Sequence, residues 1–325
     1  MANQVLEIPQ SFPQGSFKGR IALITGGSSG IGLSTTQTLL SLGCNVVIGD
    51  LSPPPSSLSD VASKSGAELT FKKCNVADYS SLLALFKHSK SHFGAYPSLV
   101  FANAGIAERG KLFTFDSPET DPSIEVEPDY SVIDIDLKAV VSTVRIGMWG
   151  IKQNSDERAG PDVGKDASIV ITASMAGYAG QGGLPVYNAA KHGCIGLVRS
   201  MRFLAPAQGV YVSCVAPAIT TTPLISSSLP YVPGSESMTQ ALVEKAFVSA
   251  GVPMNTPQHV ANAVVYLMAE GSKASGKGIL CQGGQYADLE RGINATRDAW
   301  MSAEHARMYR SGNKPTKESM GAAKL

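Results

Sequence analysis

Short, almost unbroken apolar runs alternate along the chain with longer stretches of helical period. RIALIT, NVVIGD, ELTFKK, SLVFANAG, ASIVITAS, VYVSCVAP and GKGILCQGG read as strands, because aliphatic and β-branched residues crowd into a few positions bounded by Gly, Pro, Ser or Asp. Between them, IGLSTTQTLLSLG, a helix after a Pro/Ser-rich turn, SLLALFKHSKSHFG, the stretch from Tyr130 to Ile151, VYNAAKHGCIGLVRSMRFLA and PQHVANAVVYLMAEG carry apolar residues at helical spacing. Strands that are apolar on both faces need cover on both faces, which is the pattern of a parallel sheet between helix layers. The prediction is an α/β fold: a doubly wound parallel sheet of about seven strands with helices on both faces.

The alternation runs without a linker or an internal repeat, so the 325 residues predict one domain over 19–285, an N-terminal arm over 1–18 and a C-terminal extension over 286–325. Two segments break the rhythm inside the domain, 107–129 and 223–256. Both follow strands at their carboxyl ends, where open α/β sheets bind ligands, and they are expected to wall a substrate pocket. A composition of 43% hydrophobic and 16% charged residues is globular, and 27 Lys+Arg against 26 Asp+Glu leave no strong field, which argues against nucleic-acid or anionic-membrane partners. Neither a secretory leader nor an apolar run long enough to span a bilayer is present, so the chain is expected to be soluble and intracellular. Cys44, Cys74, Cys194, Cys214 and Cys281 are far apart and mostly in apolar segments, the pattern of reduced core thiols. His88 and His92 share a helix face without a third ligand, and no metal is assigned.

RIALITGGSSGIGLS is a strand, a glycine-rich turn and the opening of a helix. Gly26, Gly30 and Gly32 let the backbone turn tightly and approach a pyrophosphate, whose charge meets free N–H groups at the helix start. Asp50 ends the second strand 18 residues after Gly32, close to the separation expected for an acid that binds the ribose hydroxyls of NAD. No Lys or Arg lies between Arg20 and Lys64 to neutralise a 2′-phosphate, so NAD(H) is expected over NADP(H).

Tyr187 and Lys191 stand at i, i+4 in PVYNAAKHG and share one helical face. A phenol is a poor base at neutral pH, but a fixed ammonium beside it favours the phenolate. The same spacing recurs by chance in many helices, so the pair is not diagnostic alone. Ser174, at the end of ASIVITAS, could reach the same point if the loop MAGYAGQGGLP folds back.

Here the chain resembles the short-chain dehydrogenase/reductase family over about residues 19–285. Its T-G-x-x-x-G-x-G motif is matched by Thr25, Gly26, Gly30 and Gly32, its N-A-G by Asn103, Ala104 and Gly105, and its Ser before Y-x-x-x-K by Ser174, Tyr187 and Lys191. The resemblance implies a Rossmann-like fold and an NAD(H)-dependent oxidoreductase that interconverts a secondary alcohol and a ketone. Tyr187 would be the general acid/base, Ser174 would hold the substrate oxygen, and Lys191 would bind the nicotinamide ribose and assist the tyrosine. It further implies a cofactor lining of Thr25, Gly26, Ser28, Ser29, Gly30, Ile31, Gly32, Asp50, Leu51, Asn75, Val76, Asn103, Ala104, Gly105, Tyr187, Lys191, Pro217, Ala218, Thr220 and Thr222.

Three positions depart from the family pattern. Asp136 replaces the asparagine of a proton relay, either altering that relay or only settling the helix backbone; Ala218 replaces a glycine; and Asn75 stands where an aspartate often meets adenine. The first two leave a rival reading open, a family member turned nucleotide sensor, scaffold or non-redox cyclase. By the same resemblance the helices over 130–151 and 187–204 would form a homodimer or homotetramer interface. Leu112, Phe113, Phe115, Leu224, Leu229, Tyr231 and Val232 suggest a hydrophobic small-molecule substrate, or equally plain loop packing. Ala323-Lys324-Leu325 resembles a peroxisomal address, leaving cytosol and peroxisome as the two compartments.

Overall fold

The computed structural model describes residues 5–108, 112–113, 122–154, 166–227 and 240–312. Phe115, Leu229, Tyr231, Val232 and the C-terminal tripeptide therefore lie outside the described residues. Eight strands form one sheet: β1 (Ile21–Thr25), β2 (Asn45–Asp50), β3 (Leu69–Lys73), β4 (Leu99–Ala102), β5 (Ala167–Thr172), β6 (Val210–Pro217), β7 (Gly278–Gln282) and β8 (Gln285–Asp288). Their order is β3-β2-β1-β4-β5-β6-β7-β8, with β1 to β7 parallel. The doubly wound α/β expectation holds.

Alternation explains why the strands read as continuous apolar runs. Ala22, Ile24, Val46, Ile48, Leu99 and Phe101 pack into the core on one face of the sheet. Leu23, Val47, Val100, Ile169 and Ile171 pack into the core on the other. The first layer is closed by α1 (Gly30–Ser41), α2 (Ser57–Ser65) and α9 (Pro257–Glu270), the second by α3 (Tyr79–Phe93), α5 (Ala139–Gln153) and α6 (Pro185–Leu204). Each fully buried Leu or Ile contributes about 1.5–3 kcal/mol, so a polar residue at Leu23 or Ile24 would be felt at once.

Two local features depart from the sequence expectation. The eighth strand pairs with β7 in antiparallel fashion across Gly283 and Gly284, which hold φ +55 and +82. A two-residue turn with positive φ at both positions suits glycine, and QGGQ carried that signal. The sheet thus runs three residues past the boundary expected at 285, to Asp288. The helical stretch expected from Tyr130 is also not uniform. A short turn α4 (Ser131–Ile133) passes into a π-helical segment, Asp134–Lys138, before α5 begins. Such bulges re-aim one side chain and often mark functional positions; here the buried residue in the bulge is Asp136.

The remaining described α-helices are α7 (Pro223–Ser227), α8 (Gln240–Ser249), α10 (Leu289–Ala295), α11 (Arg297–Met301) and α12 (Ala303–Gly312). Segments flanking the sheet pack onto the body: Ile8 and Phe17 are buried, and Glu290 of α10 is fastened to Arg199 of α6. All five cysteines are unpaired and buried, and burial pushes the Cys44 thiol up to about 12, as expected of inert core thiols. Among the described residues no cluster of metal-ligating side chains occurs, and no helix is long and apolar enough to cross a membrane.

Candidate active site

Strand order reverses between β1 and β4, so their carboxyl ends open the crevice where such sheets take ligands. Gly26 and Gly30, at φ +67 and +51, turn the chain from β1 into α1 in a conformation that L side chains resist. Gly32 is held for a different reason: a Cβ there would stand 2.0 Å from the Gly26 carbonyl oxygen and 2.7 Å from Asn103 Nδ2. The N-cap Ser29 makes no side-chain cap, so the first N–H groups of α1 have no capping acceptor from it. Small residues and a helix start without a side-chain cap suit a dinucleotide pyrophosphate.

Asn103 fastens this turn to β4 and β5. Its Nδ2 donates to the carbonyls of Thr25 and Gly26, each at 3.1 Å, and its Oδ1 accepts from Thr172 Oγ1 at 3.0 Å. Thr25 Oγ1 accepts from the N–H groups of Asn103 and Ala104. From Thr172 the network passes on to Lys191, whose Nζ donates to the Thr172 carbonyl at 3.0 Å.

Lys191 Nζ also meets Asp136 Oδ2 at 3.0 Å, with the two side chains only 4% and 1% exposed. The other Asp136 oxygen accepts from the Ile106 N–H at 2.8 Å. Gly105 keeps this approach open, since a Cβ there would lie 3.1 Å from Asp136 Oδ2. Burial works against the ammonium, but the carboxylate of Asp136, with smaller help from Tyr187 and Cys194, outweighs it and holds Lys191 above the ordinary lysine value. The ammonium lies 5.5 Å from the centroid of the Tyr187 ring.

Ser174, two residues past β5, is in extended conformation and caps the turn Met175–Gly177. Its Oγ accepts from the Ala176 N–H at 3.1 Å and lies 3.5 Å from the Pro217 carbonyl. The loop after it does fold back: Asn188 Nδ2 donates to the Gln181 carbonyl at 2.7 Å, tying it to α6 beside Tyr187. Pro185 starts α6 with its fixed φ, and Leu184 at the N-cap offers no side-chain acceptor. Glu108, a buried residue from the loop after β4, supplies one; its Oε2 accepts from the Tyr187 N–H at 2.7 Å. Sequence reasoning missed Glu108, because no spacing rule links it to a helix start 79 residues away.

Asp50 sits at the rim of the glycine turn, where its Oδ2 accepts from the Ser28 N–H at 3.0 Å. The absence of basic residues near it in sequence does not extend to space: Lys73 is its register partner on β3. Leu51 is exposed, and Val76 packs against the core. Asn75 Oδ1 accepts from the Ala77 N–H, leaving its amide nitrogen for other contacts. Ala218 adopts no positive φ. Thr222 reaches the glycine turn, 3.2 Å from where a Cβ on Gly30 would be. Leu224 and Phe113 are exposed at 37% and 65%. The His88 and His92 rings stack at 5.9 Å, and His88 Nε2 pairs with Thr70 Oγ1.

The short-chain dehydrogenase family profile matches residues 20–230. The chain is 33% identical to the short-chain dehydrogenase/reductase ascJ of Acremonium egyptiacum over 281 residues, covering 86% of this chain and 83% of that one. It is 30% identical over 272 residues to a cis-4-hydroxycyclohexanecarboxylate dehydrogenase of Sinomonas cyclohexanicum, covering 83% and 98%. The crystal structure of levodione reductase superposes with a TM-score of 0.65 at 23% identity, over 82% of this chain and 98% of that one, a likeness of fold. The chain belongs to the short-chain dehydrogenase/reductase family. With that family come oxidoreductase chemistry and a nicotinamide dinucleotide as the cofactor class.

Proposed function

We propose that the chain is an NAD(H)-dependent dehydrogenase that interconverts a secondary alcohol and a ketone on a hydrophobic small molecule. The observation that carries this reading is the continuous network from the glycine turn through Asn103, Thr172 and Lys191 to the Tyr187 ring. Thr25, Gly26, Ser28, Ser29, Gly30, Ile31 and Gly32 would hold the pyrophosphate, and Asp50 and Leu51 the adenosine ribose. Asn75 and Val76 would meet adenine, Asn103, Ala104 and Gly105 the central crevice, and Pro217, Ala218, Thr220 and Thr222 the nicotinamide end. When bound, the dinucleotide supplies the hydride acceptor or donor.

Tyr187 takes the hydroxyl proton of the alcohol during oxidation and returns a proton to the carbonyl oxygen during reduction. Ser174 steadies that oxygen through its hydroxyl. Lys191 presents a fixed positive charge to the phenol and hydrogen-bonds the ribose, and Asp136 keeps that ammonium charged and in place. Asp50 supports NAD over NADP, since its carboxylate would repel a 2′-phosphate. The relative from Sinomonas, named for a secondary ring alcohol, supports the substrate class. Exposed Val141 and Trp149 of α5 with Phe203 and Leu204 of α6 support self-association through these helices.

The test is NADH formation across a panel of hydrophobic secondary alcohols, with Tyr187→Phe as control. Turnover by the native protein and near-complete loss in the variant, with NADH affinity retained, is the expected result. Cofactor binding without turnover on any member of the panel would favour a nucleotide sensor instead.

A further inference from the structure

Asn255 bonds both the loop after β6 and the end of β7, just ahead of α9. The residue is 1% exposed, and its side chain is engaged at both ends. Its Nδ2 donates to the Cys281 carbonyl at the end of β7 at 2.7 Å, and stands 3.5 Å from both the Ala218 carbonyl and Thr220 Oγ1. Its backbone N–H donates to the Ile219 carbonyl at 2.8 Å, and its carbonyl accepts from the Thr221 N–H at 2.9 Å, forming a parallel bridge with Thr220. Residues 218–221 are thus bonded through main chain or side chain to one external residue.

The loop needs such a template. Ala218 takes no positive φ, so no left-handed glycine sets the turn from within. Thr220 Oγ1 donates back to the Ala218 carbonyl at 2.9 Å and also lies within reach of Asn255.

His259 fixes the direction of the Asn255 amide. Thr256 caps α9 by accepting from the His259 N–H at 3.1 Å, and the imidazole then turns back so that Nδ1 lies 2.9 Å from Asn255 Oδ1. That oxygen can only accept, so the proton resides on Nδ1. The ring packs on Tyr286 with centroids 4.1 Å apart, and Tyr286 Oη donates to the His259 carbonyl at 2.7 Å. His259 Nε2 is buried without a hydrogen-bond partner among the described residues. A side chain present only to fill space would be apolar, because an unpartnered buried nitrogen carries a desolvation penalty. The penalty is tolerated where the opposite nitrogen has a task.

We propose that Asn255 is a positioning residue for the 218–222 loop, shaping it to receive the nicotinamide end of the cofactor, with His259 orienting its amide. The proposal rests on the dinucleotide reading above and assigns to Asn255 the nicotinamide half of binding alone. Full-length protein is titrated separately with NADH and with ADP-ribose, which lacks the nicotinamide ring. Asn255→Ala and Asn255→Ser are expected to weaken NADH about tenfold or more, while ADP-ribose changes by less than about twofold, the effect of losing one buried hydrogen-bonding group at that end. His259→Leu shifts the NADH-to-ADP-ribose ratio in the same direction by about threefold, and His259→Gln, which keeps a donor for Asn255, restores it. Equal weakening of both ligands, no weakening of either, or a His259→Gln variant no better than His259→Leu would overturn the proposal. If Asn255→Ala does not fold, Asn255→Ser and the His259 pair give the same comparison. A native protein that bound neither ligand would remove the dinucleotide reading itself, and this proposal with it.

Discussion

Removing the Asp136 carboxylate should unbalance the centre of the site more than any other single truncation there. Asp136→Ala leaves the Lys191 ammonium, 4% exposed, without its counter-charge and with the Thr172 carbonyl and the Tyr187 ring beside it, and it strips the Ile106 N–H of its acceptor. Breaking one side of a buried ion pair costs about 3–5 kcal/mol, because the surviving charge stays desolvated. At about 2 °C per kcal/mol for a domain of this size, the melting temperature should fall by about 6–10 °C. Asp136→Asn preserves an acceptor for Ile106 and should lose about 1–3 kcal/mol, falling between native and alanine proteins. The decisive assay is a double-mutant cycle by chemical denaturation. Asp136→Leu with Lys191→Met removes both charges, and the pair should be less destabilised than the sum of the single variants by more than about 1 kcal/mol. Salt up to the molar range should leave that coupling nearly unchanged, since buried pairs are poorly screened. Additive single-variant effects, or an Asp136→Ala loss under about 1 kcal/mol, would show that the pair carries little of the local energy and that this reasoning is wrong.

Glu108→Ala should destabilise by about 1–3 kcal/mol through the lost charged hydrogen bond at the start of α6, and turnover should fall with it; Glu108→Gln, which can still accept from Tyr187, should recover most of both in thermal melts and steady-state rates. Asp50→Ala should raise the NADP-to-NAD ratio of kcat/KM by about tenfold or more, as repulsion of a 2′-phosphate disappears and Lys73 stays opposite; an unchanged ratio would exclude Asp50 as the selecting residue. Burial holds both His259 and His88 below the ordinary value of 6.5, so the unfolded chain binds more protons than the folded one as pH falls through and below that value. Stability from these groups is therefore present above about pH 6.5 and lost on acidification, and His259→Gln should flatten the acid limb of melting temperature against pH.

Local pattern is what the sequence by itself determined: seven strands, the helices between them, the glycine turn, and the Tyr187 and Lys191 spacing. These depend on hydrophobic period and on backbone freedom at single residues, which act over a few neighbouring positions. Even β8 has a local signal, the glycine pair Gly283-Gly284. Family pattern then grouped Ser174, Asn103 and the glycine turn; in the fold Thr172 hydrogen-bonds both Asn103 and Lys191. Tertiary structure decided the rest. That Asp136 turns inward from a π-helical bulge to pair with Lys191, that Glu108 caps a helix from a distant loop, that Lys73 is the register partner of Asp50, and that Asn255 hydrogen-bonds the loop after β6 were all decided by the fold. Hydrogen bonds and charges act through space over a few ångströms, and only the folded chain says which residues come within that reach.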